Sequence, residues 1–137
     1  MSELQKELEA ALHYHQAGDL DRAEACYGKI LEQHPEDHNA LHMLGVLNYQ
    51  KGQHDRAISL LEKALQYNNS AEVLTHLGSA LKAKGNLQIA KDTFIRAIEL
   101  NPGFALAHFN LGNTYKILDE YDKAIASYKR ATEINPL

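Results

Sequence analysis

Apolar residues recur at helical spacing along the whole chain. One set of positions, each held by a small residue, a leucine or an aromatic residue, occurs four times. The clearest copy starts at Leu111-Gly112 and continues through Ala124, Tyr128 and Ala131. Two further copies lie 34 and then another 33 residues upstream, and a weaker copy opens the chain. Their members are Leu77, Gly78, Ala90, Phe94 and Ala97, then Leu44, Gly45, Ala57, Leu61 and Ala64, and finally Ala10, Ala11, Ala23 and Tyr27. A period of this length is typical of stacked repeat units.

The spacing predicts eight helices in four pairs. It predicts no strand, because no stretch alternates apolar and polar residues over a useful length. The predicted helices span residues 4–17, 20–33, 38–50, 54–67, 71–84, 87–100, 105–117 and 121–134. The predicted fold class is therefore all-α.

A residue that tolerates a positive φ separates the two helices of each pair. Gly18, Gly52 and Gly85 hold this position in the first three pairs, and Asp119 holds it in the fourth. Glycine takes the left-handed conformation without a steric penalty, whereas aspartate does so at some cost. We therefore expect a left-handed turn at all four positions.

The second helix of each pair ends before a proline or an asparagine pair. Pro35, Pro102 and Pro136 each bar the residue before them from helical geometry. The second pair has Asn68-Asn69 instead, and we expect one of these two residues to adopt the left-handed cap conformation.

Glycine also lies inside the first helices of three pairs, at Gly45, Gly78 and Gly112. A glycine within a helix costs about 0.5–1 kcal/mol relative to alanine. Its return at one position in three pairs predicts that the second helix approaches too closely there for a side chain.

Composition excludes several kinds of partner. The 137-residue chain has a formal net charge of −4, and its basic residues are scattered, so we expect no nucleic acid partner. No apolar run approaches the roughly 18 residues of a membrane span, and the N-terminus lacks the apolar core of a signal peptide. We expect a cytoplasmic protein with no membrane partner. Its one cysteine, Cys26, allows no internal disulfide.

Leu-Gly followed by tyrosine, alanine, an aromatic residue, alanine and proline at fixed offsets resembles the tetratricopeptide repeat, a 34-residue helix–turn–helix unit. The resemblance covers essentially the whole chain as a single array with repeats at about 4–37, 38–70, 71–104 and 105–137. It implies a right-handed superhelical solenoid of four antiparallel helix pairs, in which the first helices line a concave groove. The chain departs from the family pattern at Ala10-Ala11, which replaces Leu-Gly, and at Asn48, which replaces the usual tyrosine.

The family register, carried over to this chain, places twelve residues of the first helices in the partner-binding groove. They are His42, Met43, Val46 and Tyr49, then Thr75, His76, Ser79 and Lys82, and then Phe109, Asn110, Asn113 and Lys116. Amides, imidazoles and hydroxyls at these positions can meet the backbone of an extended peptide, while the aromatic residues and methionine offer apolar contact.

Two subtypes of the family require particular residues on the first helices. Members that hold a C-terminal carboxylate need lysine and asparagine in the groove. The matching positions here include Leu12, Met43 and Glu72, which cannot clamp an anion. Arrays that precede sugar-transferase domains carry an asparagine ladder, of which only Asn110 is present. The opening segment of the chain nevertheless resembles bacterial arrays of that second kind.

The sequence gives little support for catalytic activity or for a metal site. His38 and His42 share a helix face at i, i+4 spacing, but the sequence supplies no third ligand at motif spacing. Cys26 has no placed histidine partner, and the turn glycines are single, so they form no phosphate loop. We expect no cofactor, no metal site and no enzymatic activity.

The predicted function is a protein–protein interaction scaffold that binds a peptide or helix in the groove. One alternative is the substrate-recognition arm of a larger enzyme of glycosyltransferase or sulfotransferase type. The other is a self-assembling scaffold that stacks end to end through the uncapped last helix, where we expect Ile125 and Ile134 to be exposed.

Overall fold

In a computed structural model that describes residues 1–136, the chain forms eight α-helices and no strand within that range. The helices are α1 (Glu3–Gln16), α2 (Leu20–Gln33), α3 (His38–Gln50), α4 (His54–Tyr67), α5 (Ala71–Ala83), α6 (Leu87–Leu100), α7 (Ala105–Ile117) and α8 (Tyr121–Ile134). Every predicted helix is present, and its ends lie within one residue of the prediction. The all-α fold class is confirmed.

The helices are grouped in two compact units, the first comprising Met1–Asn68 and the second beginning at Asn69. In the first unit, α1 pairs with α2 and α3 pairs with α4, and α3 also packs on α2. In the second unit, α5 pairs with α6 and α7 pairs with α8, and α7 also packs on both α5 and α6. Each unit therefore contains two helix pairs that share a core.

The turn between the helices of each pair has the predicted left-handed residue. The φ angles are 81° at Gly18, 79° at Gly52, 94° at Gly85 and 61° at Asp119. In the first of these turns, the N–H of the residue after the glycine donates to the carbonyl of Tyr14, 2.9 Å away. The other three turns repeat this bond at 2.8–2.9 Å, which satisfies a carbonyl left open by the end of the first helix.

Asp119 supports a prediction on backbone strain. Alanine at this position meets the same steric penalty without the local hydrogen bonding open to aspartate, whereas glycine meets none. Both variants lose the hydrogen bond that the Tyr121 hydroxyl donates to Asp119. We expect Asp119→Gly to be more stable to urea than Asp119→Ala by about 1 kcal/mol. Equal stability of the two variants would show that residue 119 is not left-handed in solution.

The expected left-handed cap at Asn68 or Asn69 is wrong. Asn68 is extended, with φ −151° and ψ 99°, and Asp119 is the one non-glycine residue with positive φ in the described range. The residues before the three prolines have similar angles, such as φ −142° and ψ 89° at Asn101. The residue after α4 thus has the same extended conformation as the residues before the prolines, although no proline follows it.

The glycines inside the first helices lie directly against side chains of the second helices. A Cβ atom on Gly45 would lie 2.7 Å from Leu61 Cγ, and one on Gly112 would lie 2.8 Å from the Tyr128 ring. On Gly78 it would lie 2.5 Å from Phe94 Cε1. The predicted close approach is confirmed in all three pairs.

Partner-binding surfaces on the first helices

Three of the predicted groove positions return in one register on α3, α5 and α7. On each helix the spacing is i, i+4 and i+7, which places the three side chains on one face. These residues are His42, Val46 and Tyr49 on α3, Thr75, Ser79 and Lys82 on α5, and Phe109, Asn113 and Lys116 on α7. The structure thus brings the predicted residues together within each helix.

On α3, in the first unit, all four predicted residues are half-buried. The Tyr49 ring lies against His54, with 5.6 Å between ring centroids, and Met43 packs against the core of the unit. The exposed parts of His42, Met43, Val46 and Tyr49 form a mixed apolar and aromatic strip.

A hydrogen-bond network beside this strip links α1 to α3. His15 Nε2 lies 2.7 Å from Gln50 Oε1, and His15 Nδ1 lies 3.2 Å from the hydroxyl of buried Tyr27. Because an amide oxygen only accepts, Nε2 carries the proton and Nδ1 accepts from Tyr27 in the neutral ring. Burial raises the pKa of Tyr27 to about 12. The imidazole therefore bridges the two first helices of this unit.

On α5, in the second unit, one predicted residue is inaccessible. Thr75 is only 1 % exposed, and its hydroxyl donates to the Ala71 carbonyl at 2.7 Å. Ser79 is half-buried and its hydroxyl donates to the Thr75 carbonyl. Burial lowers the pKa of His76, opposed by the nearby carboxylate of Glu72, and burial also lowers the pKa of Lys82. The accessible part of this face is therefore formed by His76, Ser79 and Lys82.

The face of α7 is the most open of the three. Phe109 is 49 % exposed and Lys116 is exposed, while Asn110 and Asn113 are half-buried. The Asn110 amide donates to the Leu106 carbonyl at 3.0 Å, and Asn113 Oδ1 accepts from the Tyr128 hydroxyl. Both amides are thus held in fixed orientations.

Sequence reasoning missed a cleft between α7 and α8. Its volume is about 420 Å³, and it is lined by Ala105, Leu106, Phe109, Tyr128, Ala131, Thr132 and Asn135. The rings of Phe109 and Tyr128 lie 5.7 Å apart at its wall. The sequence held one signal of this cleft. The fourth repeat has the large apolar residues Leu106 and Phe109 at the positions where the third repeat has Glu72 and Thr75.

The other predictions of chemistry concern metals, membranes and the last helix. Within residues 1–136, no three histidine, cysteine or acidic side chains are grouped to hold a metal, and no helix is long and apolar enough to cross a membrane. The expected exposure is confirmed for Ile125, which is 63 % exposed, and is wrong for Ile134, which is half-buried. Self-association through these residues stays a prediction.

Paired antiparallel helices with glycine at their contact and a left-handed turn between them define a helical-hairpin repeat protein. Three family models, each described as a tetratricopeptide repeat, match residues 8–72, 71–104 and 105–136. The chain therefore belongs to the tetratricopeptide-repeat family, whose fold generally binds protein partners.

Relatives and solved structures agree with this assignment. The probable UDP-N-acetylglucosamine-peptide N-acetylglucosaminyltransferase SPINDLY of Hordeum vulgare is 30 % identical over 131 residues, which cover 89 % of this chain and 14 % of that protein. Tetratricopeptide repeat protein 17 of Homo sapiens is 31 % identical over 111 residues, covering 79 % of this chain and 10 % of that protein. The chain thus spans a small part of the length of these relatives.

Among solved structures, a crystal structure of MamA protein has a TM-score of 0.85 at 33 % identity, covering 97 % of this chain and 73 % of that one. A second crystal structure of MamA has a TM-score of 0.83 at 34 % identity, with coverages of 99 % and 76 %. Both similarities extend over nearly the whole chain.

Proposed function

We propose that the chain is a protein-interaction scaffold that binds a peptide or helix of a partner along the exposed faces of its first helices. The proposal includes no catalytic step and places the protein in the cytoplasm. The observation that carries it is that partly exposed polar and apolar residues, with Thr75 as a buried exception, share one register on α3 in the first unit and on α5 and α7 in the second. Membership of the tetratricopeptide-repeat family supports the same function.

The chemistry of these faces suits an extended polypeptide. Ser79, Asn110 and Asn113 carry groups that hydrogen-bond to a peptide backbone, and Lys82 and Lys116 complement acidic side chains. Phe109 adds an exposed aromatic ring, the kind of anchor on which much interface energy depends.

His76→Glu combined with Asn110→Ala tests the surface in the second unit. We expect these changes to weaken binding of peptides selected from a random library against the wild-type chain by about tenfold, because truncation of central contacts costs more than about 1 kcal/mol. Titration calorimetry with the selected peptides measures the loss.

The matched control makes comparable changes of charge and size on the second helices. Gln88→Glu adds a carboxylate to α6 and Gln66→Ala removes an amide from α4, and both residues are exposed, so peptide affinity should stay at the wild-type value. A carboxylate at position 76 would lie four residues after Glu72 on the same helix, where two negative charges repel each other. Circular dichroism therefore checks that both double variants keep their helicity. Equal peptide affinity of the two double variants would contradict a binding site on the first helices.

A second candidate function is the recognition arm of a larger transferase. Two of the matched proteins are named as transferases and favour this candidate. One is SPINDLY. The other is the human protein O-mannosyl-transferase TMTC1, which is 29 % identical over 139 residues that make up 16 % of its length. Blotting a lysate of the source with an antibody to these repeats separates the candidates. A band far above 15.4 kDa favours the arm, and a band at that mass favours the scaffold.

A further inference from the structure

Three hydrogen-bond donors on the first helices of the second unit have no acceptor within residues 1–136. They are the ammonium groups of Lys82 on α5 and Lys116 on α7, and the amide N–H2 group of Asn113 on α7. In the first unit, by contrast, the ammonium group of Lys51 pairs with Glu24 at 2.7 Å. We call Lys82, Lys116 and Asn113 the donor cluster, because it offers donors that no carboxylate of the described residues meets.

The orientation of the Asn113 amide is fixed by a side chain of α8. Its Oδ1 accepts a hydrogen bond from the Tyr128 hydroxyl. An asparagine amide has one acceptor oxygen and two donor hydrogens, so this bond leaves both N–H donors available to a ligand. Asn113 precedes Lys116 by three residues, and side chains at that spacing are neighbours on one helix face. The amide and the ammonium group can therefore bind the same ligand.

Lys82 is half-buried and has no counterion nearby. Burial alone lowers the pKa of its ammonium group, and no carboxylate opposes that shift. Glu72 is the only acidic residue of α5 and α7. It precedes Lys82 by ten residues, which is about 15 Å along a helix. A half-buried charge without a counterion costs free energy that a bound anion would recover.

The two lysines of the donor cluster hold equivalent positions in successive repeats. Lys82 and Lys116 are 34 residues apart, and α5 packs on α7. The axes of packed helices are typically about 8–10 Å apart. Lysine carries its charge on a flexible four-carbon stem, so both ammonium groups can reach one ligand between the helices.

The first unit has no such cluster at the equivalent positions. By the repeat register, Lys116 and Asn113 correspond to Tyr49 and Val46 on α3 and to His15 and Leu12 on α1. Valine and leucine offer no donor, and the His15 ring is already hydrogen-bonded to Gln50. The donor cluster is therefore particular to the second unit and does not follow from the repeat pattern.

We propose that the donor cluster binds a carboxylate side chain of the partner peptide and thereby selects peptides that contain aspartate or glutamate. This inference rests on the proposed function and adds the chemistry of the ligand and the place where its charge docks. Two ammonium groups supply positive charge, and the fixed Asn113 amide supplies a directed donor. Glu72, on the same helix as Lys82, and the net charge of −4 disfavour a polyanion such as nucleic acid.

A random peptide library selected against the intact chain supplies the probe. We expect the selected peptides to contain more aspartate and glutamate than the unselected library. The tightest acidic peptide is then compared, by titration calorimetry, with copies in which one aspartate or glutamate at a time becomes asparagine or glutamine. Replacement of the residue that the donor cluster binds should weaken binding about tenfold or more, because it removes charge-assisted hydrogen bonds.

Lys82→Met combined with Lys116→Met removes both charges and keeps most of each apolar stem. We expect this variant to bind the acidic peptide about tenfold or more weakly, and to lose the preference for that peptide over its amide copy. Both lysines lie in the last turn of their helices, where positive charge also stabilises a helix. Circular dichroism therefore checks that the variant is folded.

The matched control removes two lysines from the second helices. Lys63→Met on α4 combined with Lys129→Met on α8 changes the net charge by the same amount, and both residues are exposed. This variant should bind the acidic peptide with wild-type affinity and keep the preference for it over the amide copy.

Three results would overturn the proposal. The first is a set of selected peptides without an excess of acidic residues, and the second is equal affinity of the two lysine variants for the acidic peptide. In both cases, weaker binding by the variant with His76→Glu and Asn110→Ala would leave the proposed function intact, whereas unchanged binding would contradict it too. The third is self-association of the chain, seen by sedimentation, that the variant with Lys82→Met and Lys116→Met abolishes. That outcome would make an acidic segment of a second copy the ligand.

Discussion

Phe94→Ala is expected to lower the free energy of unfolding by about 3–5 kcal/mol, the range found for truncation of buried aromatic side chains. Phe94 is fully buried, and its ring lies against Gly78 where α5 and α6 cross. Urea denaturation followed by circular dichroism measures the loss. A cost below about 1 kcal/mol would mean that this contact does not hold the pair together.

The same contact predicts a reversal in the effect of Gly78→Ala. In the wild-type chain the added Cβ would lie 2.5 Å from the Phe94 ring, so we expect a cost of about 1–3 kcal/mol from overpacking. In the Phe94→Ala background that clash is gone, and alanine should stabilise the helix by about 0.5–1 kcal/mol.

Gly28→Ala is the matched control for a glycine inside a helix. Gly28 lies within α2, and apart from its chain neighbours and the backbone of its own helix no atom lies within 4 Å of the position of an added Cβ. We expect this change to stabilise the wild-type protein by about 0.5–1 kcal/mol. Equal effects of Gly28→Ala and Gly78→Ala would contradict the steric account of the first-helix glycines.

The protein should also lose stability between pH 10 and pH 12 because of Tyr27. Burial raises the pKa of Tyr27 to about 12 in the folded chain, whereas the unfolded value is about 10. Above pH 10 the unfolded state releases this proton and the folded state keeps it, so the free energy of unfolding falls as pH rises. With about 1.4 kcal/mol per pKa unit, the loss is about 2 kcal/mol at pH 12, where half of the folded molecules have also released the proton.

Tyr27→Phe isolates this contribution from the other groups that titrate at alkaline pH. Below pH 10 the variant should be less stable by about 0.5–1.5 kcal/mol, since it loses the hydrogen bond to His15. As pH rises to 12, the wild-type chain should fall to or below the stability of the variant. Urea denaturation at half-unit pH steps makes the comparison, and parallel curves for the two proteins would contradict the raised pKa.

Local signals were sufficient to predict the helices. Gly18, Gly52 and Gly85 end the first helices because the left-handed conformation favours glycine, and this preference is visible in sequence. The role of Gly78 was also predictable, since its return in register indicated a steric need before any contact was known. These features depend on residues close in sequence or repeated at a fixed period.

The errors arise where packing overrides a local preference. Asparagine is one of the residues that tolerate a left-handed cap, which is why the sequence predicts such a cap at Asn68. The chain instead leaves α4 in the extended conformation that proline imposes on the residue after the other second helices. Thr75 occupies a groove register, but it is buried in the unit where α7 packs on α5, and its hydroxyl turns back to Ala71. Register assigns a residue to a face, whereas accessibility depends on the neighbouring helix.

The α7–α8 cleft escaped prediction for a related reason. Tyr128 and Ala131 match core positions of the other repeats, so the sequence pattern assigns them to a buried core. Only the arrangement of helices reveals that nothing within the described part of the chain lies over Phe109 beside them.

The most direct test of the central claim is chemical-shift mapping of the ¹⁵N-labelled chain with the tightest peptide from a random-library selection. The scaffold account predicts that the largest shifts fall on first-helix residues such as His76, Ser79, Asn113 and Lys116. The largest shifts on exposed residues of the second helices, at Gln66 or Gln88, would contradict it, as would a selection that yields no binding peptide.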